Sequence, residues 1–291
     1  MGGYPLDLLA LQAFTGLALG AVYVLLATGL SLIFGLLGIV NFAHGAFFML
    51  GAYAGLFLFG LTGQFWACLI GVPLLVGAGG LVVQRVLLRP LQNRGADDPL
   101  LLTFGLSYVM VELIRIIFGK QSIPFDTPEA LQGAVDIGIG YFPLYRLFVI
   151  AVAALVMAAL WLLVERTRVG LIIRAGARDP QIVRVLGIDV NLVWLLVFGL
   201  GTGIAGIAGL LAAPLQGVSP EMGATVLAEA FVVTVVGGMG SLAGAVVAGL
   251  LMGVVVSMTG LLFPEMAKVS MFAVMAIVLL LRPQGLFGRP A

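Results

Sequence analysis

The stretch Gly35-Leu-Leu-Gly-Ile-Val-Asn-Phe-Ala-His-Gly-Ala-Phe-Phe-Met-Leu-Gly51 decides how this chain folds. It sits in a run from Leu8 to Phe59 that holds no charged side chain, and it carries Asn41, the single histidine His44, and glycines at 35, 38, 45 and 51. A second interruption, Val235-Val-Gly-Gly-Met-Gly-Ser-Leu-Ala-Gly244, lies far downstream. Glycine and polar groups in the middle of apolar sequence point to broken membrane helices. Backbone released from a helix is tolerated in a bilayer only where protein or a water-filled cavity covers it. Broken helices in corresponding positions of two halves mark a transport pathway. The competing reading makes Gly38 and Gly237-Gly238 close-packing glycines in kinked but continuous helices.

The composition around these stretches is that of a membrane protein throughout. Hydrophobic residues make up 62% and charged residues 9%, against about 25% charged in soluble domains. Long apolar runs recur from end to end, which excludes a soluble domain on a single anchor. The single cysteine, Cys68, excludes an internal disulfide and a multi-cysteine metal site. Asp7 precedes the first apolar run and no Lys or Arg does, which argues against a cleaved signal peptide.

Working outward from the first break, the apolar sequence divides at about 8–27, a short 28–40, and 42–60. Further segments are expected near 65–84, 100–118, 143–164 and 192–212, then a short 226–238, 240–260 and 265–281. Ten of the fourteen basic residues cluster in three places: Arg85, Arg89 and Arg94; Arg166, Arg168, Arg174, Arg178 and Arg184; and Arg282 with Arg289. The positive-inside rule puts these in the cytoplasm and puts the loop 119–142 and the loop holding Glu221 outside. Counting back through the segments gives about ten crossings with the N-terminus inside. The expected fold is an all-α polytopic membrane protein with about 8 to 10 transmembrane segments, two of them short or broken. It forms a single transmembrane domain over residues 1–291.

The cytoplasmic loop 165–190 carries the clearest local signal. Asp179 caps a helix, Pro180 suits its first position, and Gly187 suits the left-handed residue that ends it. Arg178, Gln181 and Arg184 are polar; Ile182, Val183, Val185 and Leu186 are apolar. So short a helix needs something to dock on. It either lies on the membrane surface or inserts into a cytoplasmic subunit, and the pattern leaves both open.

Several motifs resemble one family. Gly20-Ala-Val-Tyr-Val-Leu-Leu-Ala-Thr-Gly-Leu-Ser-Leu-Ile-Phe-Gly35, leading into Asn41-Phe-Ala-His-Gly45, resembles the LivH family, permease subunits of bacterial ABC importers for branched-chain amino acids. Arg168-Val-Gly-Leu-Ile-Ile-Arg-Ala175, Asp179, Leu186-Gly-Ile188, Val236-Gly-Gly-Met-Gly-Ser241 and Arg282-Pro-Gln-Gly-Leu-Phe-Gly-Arg-Pro290 match as well, in the right order. The resemblance implies a bacterial inner-membrane protein with a second permease similar to LivM, two ATP-binding subunits and an extracytoplasmic substrate-binding protein. It makes 176–188 the coupling helix. Relatives carry urea, short amides or other small organic acids, and Ala46 stands where some have glutamate, so the solute stays open.

No cofactor is expected in the chain itself, and no nucleic-acid partner. Gly119-Lys120 is followed by Gln121 and position 114 is Ile, so the phosphate-cradling G-x-x-x-x-G-K-[ST] pattern is absent. ATP is expected on partner subunits only. The residues expected along the translocation pathway are Asn41, His44, Gly45, Glu229, Gly237, Gly238, Gly240 and Ser241. Asn41 can satisfy backbone freed at the break. A lone histidine in an apolar helix is more often a hydrogen-bonded packing residue. Glu112 and Arg115 are spaced to pair on one helix face. Glu229 has no cation nearby in sequence, and an intramembrane charge is a functional hypothesis by default. Phe47, Phe48 and Tyr53 read as packing and interface anchors. Two other classes compete with the importer: a channel or facilitator working alone, and an ion-coupled transporter, for which only His44 and Glu229 offer ionisable groups.

Overall fold

The computed structural model describes residues 5–91, 95 and 97–288, without the side chains of Arg178, Pro180 and Ile182. Arg94, Arg289 and Pro290 fall outside the described residues. Eight described helices are long and apolar enough to cross a membrane, and one further apolar helix is shorter. In chain order the α-helices begin with α1 (Leu6–Leu37), α2 (His44–Thr62), α3 (Phe65–Val83), α4 (Asp97–Phe118) and α5 (Leu144–Arg166). Then come α6 (Arg168–Arg178), α7 (Pro180–Val185), α8 (Val190–Gln216), the short α9 (Met222–Gly237), α10 (Leu242–Leu262) and α11 (Ala267–Leu281). A π-turn, Gln84–Leu88, carries α3 on toward Leu91. The chain is thus an all-α polytopic membrane protein; the described residues include one small hairpin, Ala134–Asp136 against Tyr141–Pro143, in the loop after α4.

The first apolar run departs from expectation. No break falls near residue 28: α1 is one helix of 32 residues. At about 1.5 Å per residue it is roughly 48 Å long, well over a ~30 Å hydrocarbon core. It must tilt or project. Gly29 and Gly35 do not interrupt it. They are contact points, where a Cβ would lie 2.7 Å from the Gly201 carbonyl oxygen and 3.3 Å from Gly240 Cα, respectively. Three spans therefore precede Arg85, not four. With the basic loops kept cytoplasmic, the N-terminus lies outside, opposite to the expectation. Eight long spans and α9 make nine segments among the described residues.

The core is built on backbone contact. α1 and α10 run antiparallel with Gly16 and Gly20 against Gly253 and Gly249. Small residues of this kind let membrane helices approach closely. At the outer end Gln12 Nε2 donates to the Ser257 carbonyl at 2.8 Å, and Ser257 Oγ donates to the Gln12 carbonyl at 2.9 Å. α8 passes through the middle of the molecule and packs on α1, α2 and α3. Outside, the Tyr145 hydroxyl donates to the Leu211 carbonyl at 2.9 Å. Ile123 and Val218 exchange backbone bonds there, tying the loop after α4 to the loop before α9. α4 and α11 carry large exposed apolar side chains, such as Leu101, Ile116, Ile277 and Leu280, and are the least buried of the long helices.

Candidate functional site

The first interruption is real and lies at 38–43. Gly38 takes the left-handed conformation, φ 66°, that ends α1, its N–H donating to the Phe34 carbonyl. The chain then turns back so that α2 begins beside Leu26 and Gly29, eleven and eight residues before the end of α1. Asn41 is buried, and its Oδ1 accepts the Ala43 N–H at 3.1 Å while its carbonyl accepts the His44 N–H at 3.2 Å. The Phe42 N–H donates to Thr103 Oγ1 at 3.2 Å, stitching the break to α4. Protein thus covers the backbone at Asn41 and Ala43, while Gly38 is exposed and Ile39 and Val40 are half-buried.

His44 is fully buried. Its Nε2 lies 3.1 Å from the Leu26 carbonyl oxygen, which can only accept, so Nε2 carries the proton. Its Nδ1, Asn41 Nδ2, Thr28 Oγ1 and Ser31 Oγ are buried with no partner among the described residues. The interior beside the break is therefore more polar than its surroundings. Gly45 packs on α9: a Cβ there would lie 2.8 Å from Leu227 Cβ and closer still to the Gly223 carbonyl. Replacing His44 with alanine removes both a hydrogen bond and a packed ring, at a cost of about 2–4 kcal/mol. A thermal melt of the purified chain in detergent is expected to fall by several degrees, with H44Q, which keeps a donor, falling less.

The second interruption lies elsewhere. Gly237, Gly238, Gly240 and Ser241 form the α9–α10 turn at the cytoplasmic end. Gly238 and Gly240 have φ of 98° and 81°. Ser241 Oγ accepts the Gly244 N–H at 3.1 Å, capping α10. The C-terminal tail pairs with this turn: the Leu286 and Phe287 N–H groups donate to the carbonyls of Val236 and Gly237 at 2.8 and 3.0 Å. These bonds satisfy carbonyls that the end of α9 leaves open. The tail contact is backbone pairing between distant segments and carries no sequence signature. Both interruptions share α1, the first against Leu26–Gly29 and the second against Gly35, but they do not meet in one site.

The intramembrane charges separate into two groups. Arg115 pairs with Glu112, as the spacing predicts, and also with Glu221 at the start of α9, at 3.1 Å. This three-residue link ties the outer end of α4 to α9, and only its local half was legible in the sequence. Glu229 sits midway along α9, half-buried, within hydrogen-bonding reach of the Tyr23 hydroxyl midway along α1. An apolar groove of about 350 Å³ opens between α2, α3 and α4. It is lined by Phe47, Tyr53, Leu75, Met110 and Phe118, and offers a zwitterion little.

At the cytoplasmic end the helix expected from Asp179, Pro180 and Gly187 forms as α7. Asp179 Oδ1 accepts the Gln181 N–H at 2.9 Å, and Gly187 has φ 78°. α6 was missed. Thr167 caps it by accepting the Gly170 N–H at 3.1 Å, and Ile173 is buried against the bundle while Val169 and Leu171 are exposed. That cap and the helical spacing of Val169, Ile172 and Ile173 were the available signal. Arg174 bonds the Val164 carbonyl and pairs with Glu165, fixing α6 to the end of α5. Gly176 packs on Leu36 of α1, and Arg184 lies over the Trp194 ring of α8 at 5.8 Å. Val183 turns inward, while Val185 and Leu186 project, 87% and 71% exposed.

A family model described as the permease component of the branched-chain amino acid transport system matches residues 12–279. The high-affinity branched-chain amino acid transport permease LivH of Salmonella typhimurium is 31% identical over 295 residues, covering 96% of this chain and 95% of that protein. BraD of Pseudomonas aeruginosa, a permease of the same description, is 32% identical over 300 residues, covering 96% and 95%. LivM of Escherichia coli is 31% identical over 299 residues, covering 91% of this chain and 67% of LivM. This chain belongs to the family of branched-chain amino acid transport permease components.

Proposed function

We propose that this chain is a permease subunit of a bacterial inner-membrane ABC importer that moves branched-chain or related amino acids, driven by ATP hydrolysis on partner subunits. Two ATP-binding subunits act from the cytoplasm, an extracytoplasmic binding protein delivers the solute, and a second permease completes the path. The similarity to both LivH and LivM supports a pairing of two related permeases. The observation that carries the reading is the α6–α7 projection. It presents Val185 and Leu186 to the cytoplasm on a helix too short to stand alone.

The proposed mechanism is alternating access. Closure of the motor subunits on ATP displaces α7 with Asp179, Pro180, Gln181, Arg184, Leu186 and Gly187. The motion passes through α6 to α1 at Leu36 and through Arg184 to α8 at Trp194. These two helices form the core that carries the 38–43 break. The solute passes alongside that break. Asn41, His44 and Gly45 are buried and shape it from behind, and Glu229 stands at its edge. The glycine turn with Gly237, Gly238, Gly240 and Ser241 anchors α9 and α10 at the cytoplasmic mouth. The test is a pull-down of tagged chain from native membrane in mild detergent, with mass spectrometry and an ATPase assay. Recovery of two ATP-binding proteins and a second permease is expected. Recovery of the chain alone, with solute flux retained in liposomes, would make it a facilitator.

A further inference from the structure

The position of Glu229 says which end of the solute this chain holds. The outward faces of α3, α4, α5 and α11 carry large apolar side chains suited to lipid, among them Ile70, Ile116 and Leu155. α9 differs: Thr225 and Ala228 are exposed, Phe231 is its one large exposed apolar residue, and Glu229 stands half-open beside them. Glu229 is eight residues, about 12 Å, from the cytoplasmic end of α9. An ionisable side chain at that depth faces a bundle interior or a water-filled cavity and not lipid. Its inner side faces the buried Tyr23, whose hydroxyl lies within hydrogen-bonding reach of the carboxylate. Glu229 makes no ion pair among the described residues; Lys268, exposed at the outer end of α11, is the cation whose field reaches it.

Resting on the transport reading, we propose that Glu229, oriented by Tyr23, receives the ammonium group of the passing amino acid midway across the membrane. A carboxylate has two oxygens, so an approach by the tyrosine hydroxyl to one leaves it capacity to accept from an ammonium. Attraction between unit charges is much stronger at this depth than in water. The same charge repels the carboxylate end of the solute, so the zwitterion travels with its ammonium toward this chain. The class of solute follows: a compound with a primary ammonium is admitted, while a deaminated organic acid of the same shape is disfavoured.

The experiment uses the complex purified with its co-purifying subunits and binding protein, reconstituted in liposomes and supplied with radiolabelled leucine. E229Q keeps the shape and removes the charge. E229Q is expected to lower leucine uptake per ATP hydrolysed at least tenfold, with assembly and stimulated ATPase activity retained, and E229D to restore at least half of it. Wild-type uptake in E229Q would overturn the assignment. So would failure of E229Q and E229D alike to assemble, which would make Glu229 a packing residue. Absence of ATP-driven leucine uptake by the wild-type complex would overturn the transport reading itself, and this assignment with it.

Discussion

Replacing Gly51 with valine is expected to reduce the yield of folded chain at least tenfold, read by size-exclusion chromatography of the detergent extract. Gly51 meets the backbone of α8, and a Cβ there would lie 2.5 Å from Gly206 Cα. Backbone cannot rotate away, so the helices must separate. The same close approach recurs one turn earlier, where Gly209 of α8 meets Phe48, so the two helices would have to part over more than one turn. Overpacking a well-packed core costs about 1–3 kcal/mol, occasionally more; backbone against backbone belongs at or above the upper end. Gly60 on the same helix is the control, since a Cβ there meets nothing within 4 Å. G60V should therefore extract as wild type. Equal yields of G51V and G60V would mean that α2 and α8 are not packed as described.

The second large effect is at the cytoplasmic projection. The double variant V185D/L186D is expected to lower ATP-driven uptake at least tenfold while leaving the amount of chain in the membrane unchanged. Both side chains are exposed, so aspartate is tolerated by the fold. A partner cleft that receives two apolar side chains would instead have to bury two carboxylates without counter-charges. ATPase activity measured beside uptake separates loss of docking from loss of folding. Unchanged uptake would return α7 to the status of a helix lying on the membrane surface.

Local chemistry was legible in the sequence, and long-range contact was not. Asp179, Pro180 and Gly187 define α7 because capping, first-position proline and left-handed glycine act within a few residues. Gly38 and Asn41 mark the break at 38–43 for the same reason. Gly29 and Gly35 look like Gly38 in sequence, yet they are points where another backbone approaches. What lies across a glycine is set by Gly201 and Gly240, some 170 to 200 residues away along the chain. Dividing the run at about residue 28 added a span that the single helix Leu6–Leu37 removes, and with the basic loops kept cytoplasmic this reverses the side assigned to the N-terminus. The Glu112–Arg115 pair was visible as helix spacing; its extension to Glu221 was not. Glu229 could be singled out as an intramembrane charge, but its partner Tyr23 belongs to another helix, and only the folded chain brings the two together.

The most direct test of transport driven in trans is leucine accumulation in proteoliposomes holding the purified complex, with and without ATP on the motor side. The account predicts accumulation above the external concentration that requires ATP and the binding protein and stops with a hydrolysis inhibitor. Flux that runs only down the gradient, at the same rate with or without ATP, would contradict it.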